Sequence, residues 1–164
     1  MLFASLVLML ALPQERESSV SQSASGEEVV EPYKVDPTNA GAQPFAGADM
    51  AQAFHGQEGI RRVVEQFVSL NFADRRVGEI FMNQDKVRLK RVLFEQFCYI
   101  LNAGCTYTGR DMRAAHKDMG VQQSDMNRVV ENLQSAMQME GVLFNAQNRL
   151  LAKLAPMRRK IVGR

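Results

Sequence analysis

Four separate stretches of this chain repeat apolar residues at the spacing of an α-helix, and that repetition limits the fold more than anything else in the sequence. Ile60, Val63, Val64, Phe67 and Val68 make one stripe, and Leu89, Val92, Leu93, Phe97, Ile100 and Leu101 a second. Met126, Val129, Val130, Leu133 and Met137 make the third, and Leu150, Leu151, Leu154, Met157 and Ile161 the fourth. Residues at i, i+3, i+4 and i+7 share one side of a helix, so each stretch has one face to bury and another to keep in water. No stretch alternates apolar and polar residues for long enough to suggest a half-buried strand. The expectation is an all-α domain with four long helices and several short ones.

Helix punctuation agrees with this division. Thr108 with Asp111 three residues on reads as a capping box opening a short helix, which Gly120 ends. Ser124 is placed to cap the third long helix, and Gly141 separates it from the fourth. Pro156 lies inside the last periodic run and is expected to kink or interrupt it.

Ahead of the stripes the chain changes character. Met1 to Leu12 is almost wholly apolar and stops at Pro13. Such a run is too short to span a bilayer and suits the apolar region of an export signal. No basic residue precedes it and no A-x-A site follows closely, so a frayed N-terminus is the competing reading. Residues 13–50 are rich in Ser, Glu, Gly, Ala and Pro and show no periodicity, which predicts a disordered linker. The folded domain is assigned to 51–164, with the ordered chain opening near Asp49. A net charge of +2 is too small to argue for nucleic acid or an anionic membrane surface. The basic run from Lys86 to Arg91 is short and poor in exposed aromatics, which points the same way.

Two kinds of residue can carry chemistry. The chain has two histidines, His55 in a turn and His116 at the end of the segment Tyr107-Thr108-Gly109-Arg110-Asp111-Met112-Arg113-Ala114-Ala115-His116. By residue type alone His116 is either a satisfied core histidine or a neutral imidazole ligand. The two cysteines, Cys98 and Cys105, flank a stretch that can reverse the chain, so a disulfide is easily reached. It forms in an exported protein, whereas a reducing cytosol keeps the pair as thiols. Two thiols without a nearby histidine fall short of a zinc site, and they do not make the C-x-x-C-H motif of covalent heme attachment.

The stretch from Tyr107 to Val121, together with Leu150 to Met157, resembles the group 1 truncated hemoglobins, and the resemblance extends over roughly Phe54 to Val162. It implies a two-over-two helical sandwich around noncovalent heme b, with His116 as the proximal iron ligand. Phe81 then wedges the porphyrin, and Phe67, Leu89 and Met112 belong to the pocket. Lys90 pairs with one heme propionate, and Tyr107 donates to the other. Better-known members carry a tyrosine and a glutamine where this chain has Val68 and Leu93, so the distal side is apolar. Gln96 either substitutes as a donor or faces a loop. The cysteine pair before Tyr-Thr-Gly is similar to an exported bacterial subgroup, which favours a periplasmic location, although Asn102-Ala103 stands where that subgroup has two glycines.

The function implied is reversible binding of oxygen, nitric oxide or carbon monoxide rather than catalysis. An unidentified reductase is the expected protein partner, with neither nucleic acid nor stable membrane association. The alternatives are a nitric oxide dioxygenase or peroxidase-like enzyme, a six-coordinate electron-transfer heme protein with Met82 as sixth ligand, and a cofactor-free helical interaction domain.

Overall fold

Each apolar stripe becomes the inner side of a helix in the computed structural model, which describes Val20 and residues 23–163. The run from Met1 to Leu12 assigned to an export signal lies outside the described residues. The long helices are α2 (Gly56–Ala73), α4 (Lys86–Ile100), α6 (Gln123–Met139) and α7 (Phe144–Leu154). Short helices α1 (Asp49–Ala53), α3 (Gly78–Met82), α5 (Met112–Ala115) and α8 (Arg158–Ile161) connect them, with 3-10 turns at Pro37–Ala40 and Ala155–Met157. Among the described residues there is no strand, only an isolated antiparallel bridge between Val20 and Lys34. No helix there is long and apolar enough to cross a membrane.

Helix α2 packs on both α4 and α6, and α6 also meets α7, which gives the expected arrangement of one helix pair over another. The α2 stripe is wholly buried, from Ile60 to Val68. Each such aliphatic side chain removed from water stabilises the fold by roughly 1.5–3 kcal/mol. A polar pair is set into the α2–α6 seam. Asn132 donates to Asn71 at 2.9 Å, and Asn71 donates to the Phe67 carbonyl at 3.0 Å, so neither buried amide loses its hydrogen bonds.

The punctuation holds in part. Pro156 ends α7, and the chain continues as a 3-10 turn into α8. Gly141 adopts φ +70° after α6, and the Val142 N–H reaches back to the Met137 carbonyl at 3.0 Å, a left-handed cap that favours glycine. Two caps differ from expectation. Asp111, not Thr108, caps α5, accepting from the N–H groups of Arg113 and Ala114, because the Thr108 hydroxyl is drawn to Glu95 at 2.6 Å. Ser124 lies inside α6, whose start is fixed by the Gln122 N–H donating to the Asp125 carboxylate at 2.8 Å.

The larger difference concerns the N-terminal segment. Residues 23–48, assigned by composition to a disordered linker, lie along the helical domain. Ala40 is fully buried, the Phe45 N–H donates to the Ile100 carbonyl at 2.8 Å, and the Phe45 ring carries the cations of Arg149 and Lys153. The order of this segment comes from partners far away in sequence, so it leaves no local period. At the same end of α4, Cys98 and Cys105 form a disulfide with Cα atoms 5.5 Å apart. Asn102 turns the chain between them at φ +59°, a conformation asparagine tolerates better than most residues, and its side chain donates to the Gly47 carbonyl at 3.0 Å. The asparagine thus serves where a glycine was expected.

Candidate functional site

Half of the α4 and α6 stripes is not packed shut. Leu89, Val92, Leu93, Met126, Val129 and Val130 are only partly buried, and all face one cavity of about 1340 Å³. Its other walls come from the 107–121 segment, the end of α7 and the turn into α8, with Phe67 of α2 at its inner side. The volume exceeds the roughly 300–1,000 Å³ of an ordinary small-molecule pocket. Apolar stripes that fail to meet one another across such a gap are what a large flat cofactor needs for its walls.

His116 stands in this cavity at the C-terminal end of α5. Its Nδ1 lies 2.8 Å from the Met112 carbonyl. A carbonyl only accepts, so Nδ1 carries the proton and Nε2 keeps its lone pair free. Burial pushes the imidazole below its ordinary pKa, and the bond to Met112 opposes this only in part. The ring is therefore neutral near pH 7, as an axial metal ligand must be.

The turn that presents α5 is tightly built. The buried Tyr107 hydroxyl donates to the Arg110 carbonyl at 2.8 Å, closing residues 107–110 into a loop. Gly109 lies directly against that ring, where a Cβ would fall 2.2 Å from the hydroxyl oxygen. Burial also pushes the Tyr107 hydroxyl well above the usual phenol range, so it keeps its proton.

Of the residues expected at the site, His116, Phe81, Leu89, Tyr107, Met112, Phe67 and Leu93 all line the cavity. Val68 and Lys90 do not. Val68 is fully packed into the core, one position round the helix from Phe67. Lys90 pairs with Glu65 of α2, because its side of α4 faces α2 rather than the cavity. Tyr107 is in place, but its proton is committed to Arg110, so it has none to offer a propionate. Gln96 neither faces a loop nor offers a spare donor, since its buried amide donates to the Ala40 carbonyl at 2.9 Å and lies beside the sulfurs of Met112 and Met157. Met82 is largely exposed and absent from the cavity wall. His55 sits in a surface turn at φ +59°, as expected.

The cations that do reach the cavity are Arg88, Arg110, Arg158 and Arg159. Arg88 had a sequence signal, because it precedes Val92 and Gln96 by one and two helical turns and so shares their face. Arg110 belongs to the Tyr-Thr-Gly-Arg run. The contributions of Glu28, Val30 and Tyr33 to the wall had none.

Comparison with known proteins accords with this geometry. The family model for bacterial-like globins matches residues 36–162. A group 1 truncated hemoglobin, GlbN of Mycolicibacterium paratuberculosis, is 28% identical over 102 residues, covering 62% of this chain and 75% of that protein. The crystal structure of truncated hemoglobin from Tetrahymena pyriformis in its Fe(III) form superposes with a TM-score of 0.67 at 23% identity, covering 70% of this chain and 98% of that one. The 2/2 hemoglobin from Synechococcus, solved in the cyanomet state with covalently attached heme, gives a TM-score of 0.65 at 24% identity over the same shares. At these identities the two structures speak to the fold alone.

Proposed function

This chain belongs to the bacterial-like globin family, and from that premise we propose that it binds heme b noncovalently through His116 and reversibly binds oxygen, nitric oxide or carbon monoxide. The observation that carries the proposal is the single neutral imidazole, its Nδ1 proton held by the Met112 carbonyl, inside a large cavity with apolar walls. The residues fit the cofactor. Phe67, Phe81, Leu89 and Leu93 give it a dry apolar surround, and Arg88 and Arg110 supply guanidinium groups, the best partners for carboxylates.

When bound, heme would supply an iron that the His116 imidazole ligates and that takes up a small gas. The Met112 carbonyl fixes the orientation of the His116 ring and raises the donor strength of Nε2. Across the cavity the apolar wall of Phe67, Phe81, Leu89 and Leu93 offers no hydrogen-bond donor. Bound oxygen gains more from such a donor than carbon monoxide does, so this wall favours carbon monoxide and nitric oxide over oxygen. An enzyme that cleaves an O–O bond draws on an acid–base group beside the oxygen, and these four side chains provide none. The exposure of Met82 speaks against a six-coordinate heme ligated by that residue. The Cys98–Cys105 pairing supports an exported, periplasmic location, because such bonds persist in oxidising compartments.

The test is hemin titration of the purified chain beside His116→Ala, with ferric and dithionite-reduced spectra. One equivalent bound, a five-coordinate ferrous spectrum that shifts with carbon monoxide, and loss of that spectrum in the variant are expected. Absence of stoichiometric uptake overturns the reading and leaves a helical interaction domain.

A further inference from the structure

We infer that residues 23–33 form an ion-paired strap over the cavity that sets how long this chain keeps its cofactor. The strap lies ahead of residues 36–162, outside the part matched by the family model. The inference rests on the heme reading above, and its test separates the two.

The strap is held by charge rather than by apolar burial. The Glu27 carboxylate, its side chain wholly out of solvent, pairs with both Nε and Nη2 of Arg91 on α4 and lies 3.4 Å from Arg88. Arg91 is in turn fixed by Glu95 at 2.9 Å and by the Thr108 hydroxyl at 2.7 Å. The strap is therefore tied through one guanidinium to the start of the His116 segment. Its backbone is held as well. The Glu28 N–H donates to Asp85 at 2.8 Å, the Glu28 carbonyl accepts from Arg88, and the Glu31 carbonyl accepts from Arg110 at 3.2 Å. Tyr33 ends the strap with its hydroxyl on the Thr108 carbonyl at 3.0 Å and its ring under the Arg110 cation. The bridge between Val20 and Lys34 brings the two ends of the segment together.

Two consequences follow from this placement. Glu28, Val30 and Tyr33 are part of the cavity wall, so the strap borders the space a cofactor would occupy. Arg88 and Arg110, two of the cations that line the cavity, spend hydrogen bonds on strap carbonyls. A carboxylate is a stronger acceptor for a guanidinium than a carbonyl is. Each guanidinium has five N–H donors, so the same two arginines can hold the strap and a carboxylate of the cofactor at once, and opening the strap removes part of what fixes their position. Removing one partner of a half-buried, hydrogen-bonded ion pair costs more than losing a surface pair, which makes Glu27 the point of control.

The experiment measures hemin transfer from the loaded protein to excess apomyoglobin. The full chain is compared with Glu27→Gln/Tyr33→Phe and with a chain starting at Asp36. Cleavage of the apo proteins by a glutamate-specific protease gives a second readout independent of hemin. The expected result is a release rate at least about tenfold faster in both altered chains, since losses of this kind fall on dissociation rather than association. Faster cleavage of the double variant after Glu28, the one strap glutamate that both chains share and that no proline follows, with an unchanged helical spectrum, is expected beside it. If the shortened chain does not fold, the double variant decides. Equal release rates and equal cleavage overturn the strap while leaving heme binding intact. No hemin uptake by the full chain overturns the heme reading itself, and the strap with it.

Discussion

Replacing Gly109 by alanine tests how the histidine segment is presented. Gly109 is not among the residues with positive φ, so alanine meets no backbone penalty there, and the whole effect is the added methyl group. That methyl would fall 2.2 Å from the Tyr107 hydroxyl oxygen, 2.4 Å from Cζ and 2.8 Å from Cε2. All three belong to a flat ring that is 3% exposed and has nowhere to move without giving up its bond to the Arg110 carbonyl. Overpacking of a filled core costs about 1–3 kcal/mol. The lost hydroxyl bond adds about 0.5–1.5 kcal/mol. Together they predict a loss of roughly 2–4 kcal/mol, which for a domain of this size lowers Tm by about 6–15 °C. Thermal melts followed by far-UV circular dichroism read the loss. A double-mutant cycle with Tyr107→Leu assigns its cause, because removing the ring should cancel about 1–2 kcal/mol of the alanine penalty. A Gly109→Ala melt within about 2 °C of the parent refutes the packing argument. So does strict additivity in the cycle.

Three further outcomes follow from the same structure. Leu93→Gln places a donor in the apolar wall and should slow oxygen release about five- to tenfold with little change for carbon monoxide, corresponding to one hydrogen bond of about 1 kcal/mol; stopped-flow dissociation rates that move together count against it. Cys98→Ser/Cys105→Ser, or reduction of the parent, should cost about 2–2.5 kcal/mol for a closed loop with a sequence separation of 7, and denaturant titration with and without reductant measures it; equal midpoints show that the bond constrains nothing. Glu27 is held below the usual value of 4.5, chiefly by its hydrogen bond to Arg91 and further by the Ala24 N–H and Arg88, with Glu95 on the far side of Arg91. Its folded pKa is depressed, so its stabilising effect is complete above pH 4.5 and lost as pH falls through the folded value. An acid-stable protease should therefore cut the strap of the parent much more slowly than that of Glu27→Gln at pH 6, and the gap should close as the pH is lowered below 4.5. A protection gap that does not change with pH contradicts this.

The stripes from Ile60 to Ile161 specified helices because a 3.6-residue period needs only the local chain, and Gly141 and Pro156 acted on their own neighbours. His116 was equally legible, since the Tyr-Thr-Gly-Arg-Asp run and the histidine lie within one continuous segment. The misreadings of Thr108, Lys90 and Gln96 share one property: each depends on a partner that is distant in sequence. Thr108 was expected to cap α5, but Glu95 and Arg91 compete for its hydroxyl from another helix. Lys90 and Arg88 are both cations two positions apart, and only the packing of α2 against α4 decides that Glu65 takes the first and the cavity receives the second. Gln96 stood open between a pocket donor and a loop-facing side chain until the Ala40 carbonyl met it from the N-terminal segment. The sequence by itself therefore determined which residues become helix, where the helices stop and which imidazole faces inward. Only the tertiary structure decided which charges meet across the gaps between helices, and it did so for residues 23–33 most of all. Coulomb attraction and hydrogen bonding depend on distance in space, and that distance exists only after the helices have packed.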